Sequence, residues 1–244
     1  MRVSTKWKDY QLIDAGDGEK LEKIGPYLIR RPDPVAIWPK RLDQVTWSKA
    51  DATYHRSEKG GGHWTFNTEI PSQWTIRYDP MTFICSLTNF KHIGLFPEQA
   101  VNWDWMSQTI LKSDRNDLKA LNLFAYTGAA TVSLTRMEQI AEVVHVDASK
   151  GMNQWAKNNI DLNQLSHKHV RFLVDDVNKF VMREHRRNRT YDIIILDPPS
   201  YGRGPSNELW KLEDNIVSLL HNIKLVLSDT PLFVLFNSYT SNLS

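Results

Sequence analysis

Cysteine is almost absent: Cys85 is the single one in 244 residues. No intramolecular disulfide can form, and neither a disulfide scaffold nor a cysteine-rich zinc site fits, so no metal is expected and a reducing compartment is the simpler setting. Net charge is also small. The 30 Lys and Arg residues stand against 28 Asp and Glu, a formal balance of +2, which permits a polyanionic partner without requiring one. No apolar run approaches the length of a membrane span. The opening residues, MRVSTKWKDYQL, place Arg2, Lys6, Lys8 and Asp9 where a secretory signal needs an apolar core. The expected location is the cytoplasm, with no membrane partner. Internal repeats and low-complexity tracts are missing too. What remains is ordinary globular composition, 41% hydrophobic and 24% charged, enough to bury one large core or two modest ones.

Two regions differ in their pattern. From Met1 to about Phe90, short alternating runs recur: Tyr27-Leu28-Ile29-Arg30, Trp64-Thr65-Phe66-Asn67, Trp74-Thr75-Ile76-Arg77 and Phe83 to Leu87. These read as short strands, with reversals expected at Asp14 to Gly18, Pro32 to Pro34 and Gly60 to Gly62. Residues 1–90 are therefore expected to form a small β-rich module that recognises substrate. From 91 to 244 apolar runs alternate with helical stretches, which predicts repeated βα units and a parallel sheet. The expected strands are Leu121 to Ala125, Val143 to Val146, Arg171 to Val174, Tyr191 to Leu196 and Pro231 to Phe236. Leu212, Ile216, Leu219, Leu220, Ile223 and Leu227 recur at helical spacing and predict a helix packed on that sheet. The run Arg183 to Arg189 is expected to be a solvated helix end complementing the helix dipole, with phosphate contacts by Arg186, Arg187 and Arg189 as the alternative.

In an open parallel sheet, ligands lie outside the carboxyl ends of the strands where the strand order reverses. Residues just after each strand therefore matter most. The first strand runs into Ala125-Tyr126-Thr127-Gly128, where a glycine allows close backbone approach. Asp147 ends the second strand, placed to accept the two hydroxyls of an adenosine ribose, or alternatively to cap the helix beginning at Ser149. Asp175-Asp176 follows the third strand and can accept an adenine amino group. Glycine or acid at three successive strand ends points to an adenosyl ligand. The first turn lacks G-x-G-x-x-G, which a dinucleotide pyrophosphate needs, so S-adenosylmethionine (SAM) fits better than NAD. The fourth strand ends in Asp197-Pro198-Pro199-Ser200-Tyr201-Gly202-Arg203-Gly204. Its prolines fix an extended turn and leave an aspartate and carbonyls facing the crevice. Asp197, Pro198 and Pro199 can position a nucleophilic ring nitrogen beside the sulfonium methyl, and Tyr201 offers a stacking face.

These residues, together with Phe90 to Gln99 and Val146-Asp147-Ala148, resemble bacterial SAM-dependent methyltransferases related to the large-subunit ribosomal RNA methyltransferases of the I and K type. The resemblance implies an α/β, Rossmann-like class I methyltransferase fold behind the small N-terminal β-rich module. It implies a methionyl site lined by Phe124, Ala125, Tyr126 and Gly128, a ribose site at Asp147 beside Ala148, and an adenine site at Asp175 and Asp176. Phe96 and Gln99 would cover the cofactor, and Asp197, Pro198, Pro199 and Tyr201 would form the transfer site. Family members that methylate C5 of cytosine use a cysteine after the fifth strand; Phe236-Asn237-Ser238-Tyr239-Thr240 stands there instead. The chain also stops at Ser244, where the family continues into a β-hairpin, so either the sequence is shortened or the sheet is incomplete.

The expectation is methylation of a base nitrogen in RNA, most readily ribosomal RNA. Three alternatives stand beside it: a SAM-dependent methyltransferase of a protein or small molecule, a nicotinamide oxidoreductase, and a silent RNA-binding relative.

Overall fold

A computed structural model describes residues 3–57 and 61–239, so Arg2, Gly60 and Thr240 lie outside the described residues. The chain divides into two compact units, Met1–Val101 and Asn102–Ser244. Among the described residues, no helix is long and apolar enough to cross a membrane.

The first unit carries β1 (Tyr10–Gly16), β2 (Glu19–Ile24), β3 (Tyr27–Pro32), α1 (Gln44–Ser48), β4 (Ala52–Arg56), β5 (Gly62–Phe66), β6 (Trp74–Tyr78) and β7 (Met81–Cys85). Strands β1 to β5 form one sheet in sequence order, and β6 and β7 form a separate hairpin. Pairing is antiparallel except between β3 and β4. The reversal expected at Asp14 to Gly18 is narrower than the sequence suggested. It is made by Asp17 and Gly18, both at positive φ, the backbone a tight hairpin requires. Asp14 belongs to β1 and is buried. Its carboxylate accepts from the Ala15, Arg41 and Leu42 amides and from the Trp47 indole, which ties the following loop and α1 to the sheet.

Strands β1, β2 and β4 are not marked by the apolar alternation expected of strands, and β2 in particular carries four charges in six residues. In β2 the Glu22 side chain is fully buried and forms a 2.6 Å ion pair with Arg31 of β3, while Tyr10 of β1 donates to its other oxygen at 3.0 Å. A buried carboxylate is tolerated only when paired and hydrogen-bonded in this way. Cys85 is likewise buried, and burial pushes its thiol up to about 12.

Between the β-rich part and the second sheet runs α2 (Ala100–Lys112). The second unit then alternates strand and helix: β8 (Leu118–Leu123), α3 (Ala129–Thr135), β9 (Ile140–Asp147), α4 (Lys150–Leu162), β10 (Val170–Val174), α5 (Val177–Arg186) and β11 (Ile193–Leu196). It continues through β12 (Tyr201–Arg203), β13 (Leu209–Lys211), α6 (Leu212–Lys224) and β14 (Phe233–Phe236). The main sheet is parallel with order β10-β9-β8-β11-β14. The chain thus moves outward from β8 to β10 and then returns to the other side of β8, which sets the switch point between β8 and β11.

Apolar residues dictate this arrangement. Leu121, Leu123, Val144, Val146, Ile194 and Leu196 of the sheet pack in one buried cluster with Phe180 and Val181 of α5 and with Leu212, Ile216, Leu219 and Ile223 of α6. Each such side chain stabilises by about 1.5–3 kcal/mol relative to exposure. The α6 stripe matches the periodicity in the sequence, except that Leu220 stays exposed and Leu227 lies beyond the helix, bridged to Tyr191.

The basic run closes α5 with His185, Arg186 and Arg187 exposed, the solvated helix end expected, and part of it is also paired. Glu184 and Glu142 are buried carboxylates; Arg187 pairs with Glu184, Arg189 with both, and the Tyr191 hydroxyl donates to Glu184 at 2.6 Å. Arg187 and Arg189 therefore help to neutralise buried acids. Arg183 pairs with Asp175.

Candidate functional site

Strand register aligns the ends of four strands. Leu196 of β11 pairs with Leu123 of β8, Leu123 with Val146 of β9, and Asp147 with Val174 of β10. Asp197, Phe124, Asp147 and Asp175 consequently emerge side by side at one edge.

The turn after β8 is conformationally unusual. Phe124 and Tyr126 have φ of 54° and 51°, and Gly128 has 83°. The strand expected to reach Ala125 ends at Leu123 for this reason. Non-glycine residues in the left-handed region store roughly 1–3 kcal/mol each and persist only where the surroundings hold them. Here they are held: Asp147 Oδ2 accepts the Tyr126 amide at 2.9 Å, the Thr127 carbonyl accepts from Asn159 of α4 at 2.9 Å, and the Ala125 amide donates to the Val146 carbonyl at 3.1 Å. Gly128 is required twice over. Its φ disfavours a side chain, and a Cβ there would lie 2.8 Å from the Ala156 Cβ, closer than packed carbons allow.

Asp147 is mostly buried, and its other oxygen accepts the Ser149 amide at 2.8 Å. Burial lifts its proton affinity above the ordinary carboxylate level, with the Ser149 and Tyr126 amides acting in the opposite sense. The helix-capping alternative is only partly met. Ser149 is the residue that caps α4, by accepting from the Met152 amide, and each Asp147 oxygen keeps a lone pair facing away from its backbone donor. Ala148 joins these two residues.

Further along the edge, Asp176 caps α5 by accepting the Lys179 amide at 2.9 Å, and Asp175 pairs with Arg183. Asp197 Oδ1 accepts Asn237 Nδ2 at 3.0 Å from just beyond β14. Pro198 is buried and Pro199 exposed; the Pro199 carbonyl accepts the Trp210 indole at 2.7 Å. That ring sits 4.7 Å from Phe124, so Trp210 joins the transfer-loop candidate to the first turn. Phe96 and Gln99 lie in the first unit, around a short 3-10 turn at Pro97–Gln99, and are not among the residues the second unit gathers.

Sequence reasoning missed several residues that shape this edge: Trp210, Asn237, Asn159, and a buried chain under the turn. In that chain Asn122 Nδ2 donates to Thr131 Oγ1 at 3.0 Å, and Thr131 Oγ1 lies 2.8 Å from His145 Nδ1. Polar residues within the apolar runs Leu121–Leu123 and Val143–Val146 were the available signal.

A parallel sheet with its switch point at a strained turn, and carboxylates after the neighbouring strands, defines a nucleoside-binding α/β unit. Residues 50–232 match the family of S-adenosylmethionine-dependent methyltransferases, and the chain belongs to that family. The family's cofactor, SAM, is accordingly the adenosyl ligand. Among known proteins, the ribosomal RNA large subunit methyltransferase K/L of Syntrophotalea carbinolica is 33% identical over 153 residues, 63% of this chain and 20% of the relative. The ribosomal RNA large subunit methyltransferase I of Cronobacter sakazakii is 36% identical over 85 residues, 35% of this chain and 21% of the relative. The chain spans about one fifth of the length of these curated relatives. The crystal structure of a SAM-dependent methyltransferase from Agrobacterium tumefaciens superposes with a TM-score of 0.92 at 38% identity, covering 99% of this chain and 76% of that one.

Proposed function

We propose that this chain transfers a methyl group from SAM to a nitrogen of a base in RNA, with ribosomal RNA the substrate, in the cytoplasm. The observation that carries the proposal is the register that sets Asp197 of the Asp-Pro-Pro turn beside Phe124 and Asp147. The names of the curated relatives support the RNA substrate.

The residues at this edge suit the cofactor. Asp147 offers one free lone pair on each oxygen to the two ribose hydroxyls, with Ala148 alongside, and the turn Phe124, Ala125, Tyr126 and Gly128 offers backbone groups to the methionyl tail. Asp176, with one oxygen spent on its helix, presents the other to the adenine amino group, and Asp175 lies next to it. Phe96 and Gln99 carry no part of this assignment. When bound, SAM supplies a methyl on a positively charged sulfur, already activated for displacement. The protein's task is therefore placement of the nucleophile. Asp197 and the Pro198 and Pro199 carbonyls accept hydrogens from the target base and aim its nitrogen, while the Tyr201 ring stacks on the base. Asn237 fixes one Asp197 oxygen and Trp210 fixes the Pro199 carbonyl. The β-rich first unit recognises substrate, a role supported by exposed Phe66, Phe90 and Arg56.

Chemistry at carbon is disfavoured by the thiol inventory. Methylation of pyrimidine C5 needs a thiolate nucleophile, and the single cysteine is buried in β7 with its proton affinity raised. Incubation with tritiated SAM and unmodified ribosomal RNA, followed by nucleoside analysis, tests the proposal. An N-methylated nucleoside is expected. Label in protein alone, or in a C5-methylated pyrimidine, would contradict it.

Asp147→Ala should weaken SAM binding tenfold or more, since each hydrogen bond to a charged group contributes about 1.5–3 kcal/mol. Calorimetry reads this directly, and unchanged affinity removes Asp147 from the cofactor site. Asp147→Asn, which keeps an acceptor for one hydroxyl, should fall between the two.

A further inference from the structure

The hairpin that follows the Asp-Pro-Pro turn has two unlike faces. Tyr201 pairs with Lys211, Gly202 with Trp210, and Arg203 with Leu209. Alternation along each strand puts Gly202 and Trp210 on one side and the other four residues on the opposite side. The inner side is anchored: Trp210 is 7% exposed, donates to the Pro199 carbonyl at 2.7 Å and meets the Phe124 ring, while the Leu212 amide donates to the Ser200 carbonyl at 3.0 Å. Gly202 lies against Pro199, where an added Cβ would stand 3.4 Å from its Cγ.

The outer side has no such anchoring. Tyr201 is 57% and Leu209 50% exposed. Across the strands, each of these apolar groups stands opposite a cation, Tyr201 opposite Lys211 and Leu209 opposite Arg203. Neither cation is closely neutralised. Arg203 Nη1 donates to the neutral Asn207 amide oxygen at 3.0 Å, and Lys211 is 3.9 Å from an exposed Asp214. A rigid surface interleaving flat apolar groups with cations matches unpaired bases joined by phosphates. Base stacking on such rings is sequence-tolerant, and the cations track the backbone.

We propose that this outer face holds the single-stranded nucleotides flanking the target base, with Leu209 extending to them the stack that Tyr201 begins on the target base, and Arg203 and Lys211 on the phosphates. The inference rests on the RNA proposal above and adds the strand state of the substrate and the residues that grip it. Position supports it. The face begins two residues after Pro199, so nucleotides beside a base at Asp197 reach it without a second site.

The test is fluorescence anisotropy of a labelled single-stranded RNA over a salt series, using wild type, the double variant Arg203→Gln with Lys211→Gln, and a control of equal charge change, Lys112→Gln with Lys224→Gln. Two lost phosphate contacts should make the slope of log affinity against log salt shallower by about 1.4 for the hairpin variant alone. SAM affinity and melting temperature should match wild type. An unchanged slope, or equal flattening by the control, overturns the inference while RNA methylation stands. Wild type that binds no RNA overturns both. A duplex of the same sequence should bind less tightly than the single strand, because its bases are already stacked; equal binding also defeats the assignment.

Discussion

Asp197→Ala should lose about a hundredfold or more in single-turnover methylation while SAM affinity stays close to wild type. Removing one well-placed polar group at a reacting centre commonly has an effect of this size. The asymmetry follows from position: the carboxylate follows β11 and is held by Asn237, whereas the first turn and Asp147 belong to β8 and β9. A group that acts on the substrate and not on the cofactor lowers the chemical step without changing cofactor binding. Asn237 keeps its backbone bond to the Leu196 carbonyl at 2.9 Å, so the β11–β14 pairing should survive the substitution. Cys85→Ser is the companion measurement. Its buried thiol, pushed up to about 12, is no nucleophile, and the variant should remain active. A dead Cys85→Ser that still binds SAM, or a covalent complex with RNA carrying 5-fluorocytosine, would restore a cysteine mechanism and sink the nitrogen assignment.

The parts of the site legible in the sequence are those where local pattern and position coincide. Ile193 to Leu196 is buried at every residue, so its run announced a central strand and the next residue, Asp197, a strand-end acid. Asp147 was legible in the same way after Val143 to Val146. Trp210 was not. Its significance depends on a hairpin of two three-residue strands whose apolar content is too slight for alternation to register, and on Phe124, which is remote in the chain. Asn237 stands across the sheet from Asp197 and far from it in the chain, so no local pattern marks the amide as the group that orients the carboxylate. The ion pairs within the basic run are illegible for a related reason. The partners of Arg187 and Arg189, Glu184 and Glu142, are buried by packing that no local pattern records.

The polar residues inside the apolar strands form a coherent support. Asn122 of β8, Thr131 of α3 and His145 of β9 lie in a chain beneath the strained turn, and Asn159 of α4 holds that turn's Thr127 carbonyl. A buried hydrogen-bonded chain specifies one backbone arrangement more sharply than apolar packing does, because any shift strands a donor or acceptor. Asn122 gives its hydrogen to Thr131 Oγ1, which shares a hydrogen with His145 Nδ1, while the other ring nitrogen, Nε2, is buried without a hydrogen-bond partner. The strained turn therefore rests on a histidine that burial keeps neutral.

That neutrality makes the fold sensitive to acid. His145 is fully buried, and burial lowers it from 6.5 to about 3, with the Tyr126 carbonyl offsetting a fraction of the effect. Between those values the unfolded chain carries a proton on this residue and the native protein does not. Unfolding then takes up a proton, so stability is full above about pH 6.5 and falls as pH drops through the window. At about 1.4 kcal/mol for each tenfold in proton affinity, the loss attributable to His145 approaches roughly 5 kcal/mol at the acid end. Urea unfolding from about pH 7 down to about pH 4 should show wild type losing stability steeply. His145→Asn keeps a polar group of similar reach but cannot be protonated there, and its curve should be shallower by close to one proton over the same range. The variant should start lower at neutral pH, because one bond of the chain is remade imperfectly. Parallel unfolding curves for the two proteins would show that His145 is not the group through which acid acts.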